Sequence, residues 1–186
     1  MAKVQTFFDD GDIQGYCEVD SDVDLLHIHF KGSNQITDWI IDFLAIPLPF
    51  SNEQLGYTVY SIKAKELLKK FIGNHKNILI TGYSLGGALA TAVAPWVRDT
   101  YKAKVSLITL GAPRYAGILW KIFYFRSIPI KRIIIIGDVV PTLPPWWRGY
   151  IHCGKAEKVN KPEVKVTIEN PFAKHLAYGD LVDFIL

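Results

Sequence analysis

The chain has 186 residues, 49% of them hydrophobic and 21% charged, with a formal net charge of +3 at pH 7. This length and composition predict one folded domain with a core of its own and exclude an intrinsically disordered chain. The positive charge is small and the lysines are spread along the sequence, which argues against a nucleic-acid partner.

Targeting and membrane-spanning segments are not visible in the sequence. Residues 1–10 have no long apolar run, as a secretory signal peptide has, and no apolar run reaches the roughly 18 residues of a transmembrane helix. We therefore expect a cytoplasmic protein, although a secreted chain without its leader has the same features. Cys17 and Cys153 are far apart, so their pairing is left open, and no C-x-x-C spacing indicates a metal.

The first half of the chain predicts two strands and then two helices. Residues 13–19 and 25–30 are strand-forming runs joined by turn-forming residues. Residues 34–44 place apolar side chains at helical spacing, and the prolines at 47 and 49 end that helix. Residues 57–72 show the same spacing over a longer stretch.

The second half of the chain alternates strands and helices. Residues 77–81, 104–110 and 132–136 are short β-branched runs that predict buried strands, and an alanine-rich helix follows the first of them. We interpret residues 116–128 as helical, 164–168 as a late edge strand and 176–185 as a final helix. This alternation predicts an α/β fold whose mainly parallel sheet is covered on both faces, with a site at the carboxyl ends of its strands.

A G-x-S-x-G sequence stands between the strand at 77–81 and the alanine-rich helix. Strand, motif and helix in this order are typical of a nucleophile elbow, a sharp turn that holds its serine in a strained conformation. Gly82 and Gly86 let strand and helix approach without Cβ clashes. We therefore predict that Ser84 is a catalytic nucleophile, next to a helix N-terminus that favours negative charge.

A serine nucleophile needs a base that takes its proton and an acid that orients the base. In folds with such an elbow the chain order is serine, acid, histidine, which leaves two histidines as bases. We favour His175, on a loop at the entrance to the last helix, because His152 lies in a predicted strand where a structural histidine is the better interpretation. For the acid we favour Asp138, which follows the strand at 132–136 and Gly137. Other acids in this interval are Asp99, Glu157, Glu163 and Glu169.

A serine nucleophile of this kind also requires hydrogen-bond donors for the oxyanion that develops during the reaction. We expect one donor to be the backbone N–H of Leu85, at the start of the helix. The second is expected from the loop after residues 25–30, where Gly32 allows a close turn and Ser33 offers both an N–H and a hydroxyl.

These residues resemble those of the class 3 lipase family, the fungal-type triacylglycerol lipases, over about residues 15–180. The resemblance rests on six motifs in the right order, which together are far more specific than any one. They are F-K-G-S at 30–33 (family F-R-G-S/T), D-W-I-I-D at 38–42 (D-W-x-x-D of the lid helix), G-Y-S-L-G-G-A at 82–88 (G-H-S-L-G-G-A), G-A-P-R at 111–114 (G-x-P-R), D-V-V-P-T-L-P-P at 138–145 (D-x-V-P-x-L-P-P) and H-L-A-Y at 175–178 (H-x-x-Y).

The resemblance implies an α/β-hydrolase fold in a single domain over residues 1–186, and a carboxylic ester hydrolase that acts on lipid esters through an acyl-enzyme. It implies no metal and no organic cofactor. The implied triad is Ser84, Asp138 and His175, and the implied oxyanion donors are Ser33 and Leu85. Residues 34–49 correspond to a lid that moves onto lipid, the alternative being a fixed helix with core-facing side chains. The residues expected at the lid or the substrate are Trp39, Asp42, Phe50, Trp146 and Trp147.

The sequence also departs from the family pattern. It starts without the usual N-terminal helical segment, Lys31 replaces an arginine and Tyr83 replaces a histidine. These departures, with the short interval between residues 138 and 175, predict a shallow and open site. The alternatives to a lipase are a phospholipase or short-chain esterase with the same triad, or a catalytically silent lipid-binding module. Three roles are open for Trp146 and Trp147: they line an acyl groove, contact a lipid interface or cover the core.

Overall fold

The computed structural model describes residues 4–11, 13–32, 55–117, 121–122, 127–167 and 170–182. The strands in these ranges are β1 (Val4–Asp9), β2 (Gln14–Asp20), β3 (Leu25–Phe30), β4 (Asn77–Tyr83), β5 (Lys104–Leu110), β6 (Ala116–Gly117), β7 (Ile130–Ile135), β8 (Tyr150–Ile151) and β9 (Lys155–Val159). The α-helices are α1 (Leu55–Ile72), α2 (Leu85–Tyr101), α3 (Ala173–Leu176) and α4 (Gly179–Val182), and two 3₁₀ turns span Val140–Thr142 and Trp146–Arg148.

Within the described residues, seven strands form one sheet in the order β1-β2-β3-β4-β5-β7-β9. The β1–β2 and β2–β3 pairs are antiparallel because short turns join these strands, and the remaining pairs are parallel. Strands β6 and β8 form a separate antiparallel ribbon. The predicted α/β-hydrolase type of fold, with a mostly parallel central sheet, is confirmed.

Side-chain alternation along the strands places the main core on one face of the sheet. In β3, Leu26, Ile28 and Phe30 point into this core, whereas His27 and His29 point to the opposite face. The helices contribute residues at the spacing of one helix face. They are Ala64, Leu68 and Ile72 from α1 and Leu89, Ala90, Val93, Ala94 and Val97 from α2. Helices α1 and α2 therefore cover one face of β3, β4 and β5.

The C-terminal segment packs on the opposite face of the sheet. Leu110 of β5 and Ile133 and Ile135 of β7 form a smaller buried cluster with Tyr178, which lies between α3 and α4. The sheet thus has chain packed on both faces near the carboxyl ends of β5 and β7. No helix in the described ranges is both long enough and apolar enough to span a bilayer.

The two edge strands of the sheet differ from the prediction. The last strand is β9 at Lys155–Val159, not residues 164–168, of which 164–167 are outside any strand. Three of its five residues are charged, as is common in an edge strand, so β9 lacks the apolar run that identifies buried strands. Strand β1 was not predicted for the related reason that most of its residues are exposed.

The predicted helices near the C-terminal half also require correction. Residues 116–128 do not begin as a helix, because Ala116–Gly117 is a strand that pairs with β8. The final helix is divided into α3 and α4, since Tyr178 turns inward to hydrogen bond with the end of β7. His175 therefore lies within a one-turn helix and not on a loop before a long one. The predicted helix at 34–44 lies outside the described residues.

Candidate active site

The turn between β4 and α2 holds Ser84 in a conformation that few residues other than glycine adopt. Its φ is 55° and its ψ is −125°. The chain crosses itself here, because a Cβ on Gly82 would lie 2.3 Å from the carbonyl oxygen of Gly86, and a Cβ on Gly86 would lie 2.3 Å from that of Lys31. Strain of this kind persists only where the surroundings impose it, and it is common at functional sites.

Backbone hydrogen bonds hold Ser84 in this conformation. Its N–H donates to the carbonyl of Leu110 over 2.8 Å, and its own carbonyl accepts from the N–H of Gly87 over 3.0 Å. Although Ser84 is the N-cap residue of α2, its hydroxyl makes no capping hydrogen bond. An ordinary N-cap serine bonds to the N–H groups of the first turn. The hydroxyl of Ser84 is therefore not used for capping.

Asp138 and His175 form a buried pair. Nδ1 of His175 lies 2.9 Å from Oδ2 of Asp138, and neither side chain is exposed. Asp138 follows β7 as predicted, and its Oδ1 accepts a hydrogen bond from the N–H of Val140 over 3.0 Å. Because the carboxylate accepts from Nδ1–H, the proton is assigned to Nδ1 and Nε2 carries the free lone pair. Nε2 is buried and has no hydrogen-bond partner among the described residues.

Tyr178 completes the surroundings of this carboxylate. Its hydroxyl donates to Oδ2 of Asp138 over 2.8 Å and accepts from the N–H of Ile135 over 2.8 Å. Burial, and then the charge of Asp138, raise the pKa of Tyr178, so the phenol stays protonated and able to donate. The sequence motif H-x-x-Y contained this residue, but its contact with the acid depends on the fold.

Tyr83 and Arg114 are two further residues whose contacts sequence reasoning missed. The hydroxyl of Tyr83 donates to the carbonyl of His175 over 2.6 Å. The guanidinium of Arg114 donates to the carbonyls of Thr142 and Pro144. The backbone N–H of Arg114 donates to the carbonyl of Leu143. Arg114 thereby holds the loop that follows Asp138. Its G-A-P-R motif was the only signal in the sequence.

Of the two expected oxyanion donors, Leu85 lies within the described residues. Leu85 begins α2, so its N–H belongs to the first turn, where no intrahelical acceptor exists. The chain leaving β3 passes beside the nucleophile, since a Cβ on Gly32 would lie 3.1 Å from Cβ of Ser84. Ser33 follows Gly32 and lies outside the described residues.

The other predicted site residues fall into two groups. Trp39, Asp42 and Phe50 lie outside the described residues. Trp146 and Trp147 are 68% and 70% exposed, so the alternative in which they cover the core is wrong. In the part of the chain that the structure describes, no group of three His, Cys, Asp or Glu side chains has the arrangement of a metal site.

His152, the other histidine considered as the base, is partly buried, and the two cysteines are buried. His152 forms a hydrogen bond through Nε2 with the carbonyl of Pro141 over 2.7 Å, in keeping with the structural interpretation. Burial lowers its pKa to about 3, so it is neutral at physiological pH. Cys17 and Cys153 are free and buried, and burial raises the pKa of each thiol to about 12.

Comparison with known proteins finds lipases among the relatives of this chain. The chain is 30% identical to a lipase of Rhizomucor miehei over 159 residues, which are 74% of this chain and 43% of that protein. Lipase II of Rhizopus niveus has a TM-score of 0.68 at 21% identity, over 84% of this chain and 65% of that one. A triacylglycerol lipase whose catalytic centre is described as a serine protease triad has a TM-score of 0.66 at 22% identity, over 85% and 66%.

The two structural similarities establish the fold alone. The chain spans less than half of the length of the Rhizomucor relative and about two thirds of the two solved structures. The profile of the family described as Lipase (class 3) matches residues 27–147, well over half of the chain, and this chain therefore belongs to the class 3 lipase family.

Proposed function

We propose that the chain hydrolyses carboxylic esters of lipids with Ser84 as nucleophile, His175 as general base and Asp138 as the acid that orients the base. The observation that carries this proposal is the buried Nε2 of His175, which has no hydrogen-bond partner among the described residues while Nδ1 is bonded to Asp138. A buried nitrogen without a partner costs free energy, and accepting a proton from a nucleophile is a use for it.

Each chemical step uses groups of this chain. Nε2 of His175 takes the proton of Ser84 as Oγ attacks the ester carbonyl, and the carbonyl electron pair moves onto oxygen. The N–H of Leu85, with Ser33 as the second donor, stabilises this oxyanion. Collapse of the intermediate breaks the bond to the alcohol, which leaves with the proton from His175. Water then attacks the acyl-enzyme by the same route and releases the fatty acid.

The named relatives support a lipid ester as the substrate. The Rhizomucor protein is a lipase, and one solved relative is a triacylglycerol lipase with a serine protease triad. A phospholipase or short-chain esterase uses the same residues on another acyl donor, so the choice among them is experimental. A silent lipid-binding module is disfavoured, because a strained serine without a capping role has no structural benefit.

The lid and substrate contacts are part of the proposal and rest on the sequence. The segment 34–49, with Trp39 and Asp42, follows Gly32, which lies beside Ser84. Ser84 is only 1% exposed and His175 is not exposed at all, so a lipid ester reaches them only after something moves. We propose that segment 34–49 makes this movement together with Phe50, which follows it in the sequence, and that Trp146 and Trp147 lie at the lipid surface.

The test is the initial rate on a short-chain glyceride ester, measured through its solubility limit. A rate that depends on Ser84 and increases sharply once droplets form supports a lipase with a mobile lid. Smooth saturation below the solubility limit indicates an esterase with an open site. Ser84→Ala is the baseline, and a fluorophosphonate probe should label Ser84 in the wild-type chain. Absence of both labelling and turnover on glyceride and phospholipid esters would contradict the proposed function.

A further inference from the structure

Tyr83 is the last residue of β4 and directly precedes Ser84. Pairing with Leu110 of β5 fixes its position in the sheet, and the alternation of side chains sends it to the face opposite α2. On that face it packs against the cluster that contains Tyr178. Strand β4, which leads into the nucleophile, therefore also places an aromatic ring on the face of the sheet where Tyr178 packs.

The ring of Tyr83 lies against the ring of His175. Their centroids are 5.2 Å apart and their planes differ by 22°, which is a stacked arrangement. The Tyr83 ring also borders Gly32, where a Cβ would lie 2.8 Å from its Cδ1. Tyr83 thus contacts the predicted base and the loop expected to supply an oxyanion donor, and it neighbours the nucleophile in sequence.

His175 needs support from outside its own helix. It lies in α3, which has only four residues, and a helix of one turn has little stability by itself. The last carbonyls of a helix lack the N–H donors of a following turn, and the hydroxyl of Tyr83 donates to the carbonyl of His175. Asp138 holds the edge of the imidazole at Nδ1, while Tyr83 covers its face.

We propose that Tyr83 is a positioning residue, whose aromatic face holds the imidazole plane of His175 and stabilises the imidazolium formed when Ser84 transfers its proton. The face of a phenol ring is electron-rich and attracts a cation within about 6 Å of its centroid. The positive charge on His175 develops during proton transfer from Oγ to Nε2, so this attraction is gained in the transition state. The inference rests on the proposed function, because His175 accepts the proton of Ser84 only if it is the general base.

The chain contains a matched control for this stack. Tyr16 lies on His29 with centroids 5.0 Å apart and planes that differ by 24°, nearly the geometry of the Tyr83–His175 pair. His29 bonds through Nδ1 to Thr81 and has no place in the proposed chemistry. Loss of the Tyr16 ring removes an equivalent tyrosine–histidine stack from the same sheet without touching the site.

The experiment compares Tyr83→Leu, Tyr83→Phe and Tyr16→Leu on a soluble short-chain ester, with kcat and KM measured separately. Tyr83→Leu should lower kcat about tenfold and leave KM within about twofold, because a transition-state interaction is lost. Tyr83→Phe keeps the aromatic face and should retain kcat within about threefold. Tyr16→Leu should change kcat by less than about twofold. The rate of fluorophosphonate labelling at Ser84 should follow kcat across the series.

Three results overturn the inference. They are a kcat for Tyr83→Leu no lower than that of Tyr16→Leu, a loss confined to KM, and an equal loss in Tyr83→Phe and Tyr83→Leu. If Tyr83→Leu does not fold, Tyr83→Phe and Tyr83→Trp decide: retained kcat in both supports the aromatic face, and a tenfold loss in either folded variant overturns it. Failure of the proposed function is separate, since the wild-type chain then shows neither turnover nor labelling.

Discussion

The hydroxyl of Tyr178 donates to the same oxygen, Oδ2 of Asp138, that accepts the hydrogen bond from His175. Two donors on one carboxylate oxygen fix the direction of the carboxylate more tightly than either does alone, and both bonds are charge-assisted. The N–H of Ile135 holds the same hydroxyl, so the backbone of β7 sets the position of the phenol. The end of the sheet and the imidazole of His175 are thereby connected through two buried side chains, Tyr178 and Asp138.

Replacement of Tyr178 by phenylalanine should lower both stability and activity. The change leaves the N–H of Ile135 buried without an acceptor, which costs about 1–3 kcal/mol in the free energy of unfolding. It also frees Asp138 to rotate, so we expect kcat to fall while KM is kept. Urea unfolding and initial rates measure the two effects. Tyr150→Phe, at another buried tyrosine, is the control, and equal losses in both variants would contradict the connection.

Replacement of Ser84 by glycine should stabilise the fold while abolishing turnover. Glycine adopts a φ of 55° without the steric cost that serine bears, so the free energy of unfolding should increase by about 1 kcal/mol or more. Ser84→Ala removes the same hydroxyl but keeps the Cβ and the strain. Urea unfolding of the two inactive variants isolates the strain. A glycine variant no more stable than the alanine variant would show that the turn is relaxed.

Acid should destabilise the protein through His29. Burial, and then the neighbouring charges of His27 and Lys31, lower the pKa of His29 to about 4, below the 6.5 of an ordinary histidine. His29 is therefore protonated near pH 6.5 in the unfolded chain but only near pH 4 in the folded chain. The contribution to stability is complete above pH 6.5 and is lost as pH falls towards 4, by about 1.4 kcal/mol for each unit.

The acid dependence is measured by urea unfolding at several values between pH 7 and pH 4. His29→Gln, which keeps a polar group opposite Thr81, should make the decline with pH shallower. The wild-type chain, measured at the same pH values, gives the reference slope. His152, whose pKa burial lowers to about 3, accounts for decline that persists in the first variant. An unchanged slope in His29→Gln would refute this assignment.

Replacement of Trp146 and Trp147 by serine should separate lipid contact from folding. Both rings are mostly exposed, so we expect the free energy of unfolding to change by less than about 0.5 kcal/mol. At a lipid surface, aromatic side chains lie between the apolar and aqueous regions. The rate on an emulsified glyceride should therefore fall, while the rate on a dissolved ester is kept. An equal fall on both substrates would place the rings in the acyl groove.

What could be predicted from the sequence was local along the chain. Ser84 lies between a buried strand and an alanine-rich helix, and the elbow follows from those flanks and two glycines. Asp138 follows an isoleucine run and Gly137, so the sequence also predicted its position at the end of a strand. Chain order and its place before the last predicted helix favoured His175 as the base, and the resemblance to the family motifs implied the same residue. The first two inferences need only the residues that flank each position, whereas the choice of His175 also used the order of residues along the chain.

The tertiary structure alone decided the contacts between distant segments. Strands β1 and β9 carry charged or exposed residues at the sheet edges, so no apolar pattern marks them. The meeting of Tyr178 with Asp138, and of Tyr83 with His175, depends on which strands pair and which face each side chain takes. Pairing and packing are set by burial summed over the whole core, which no short stretch of sequence contains.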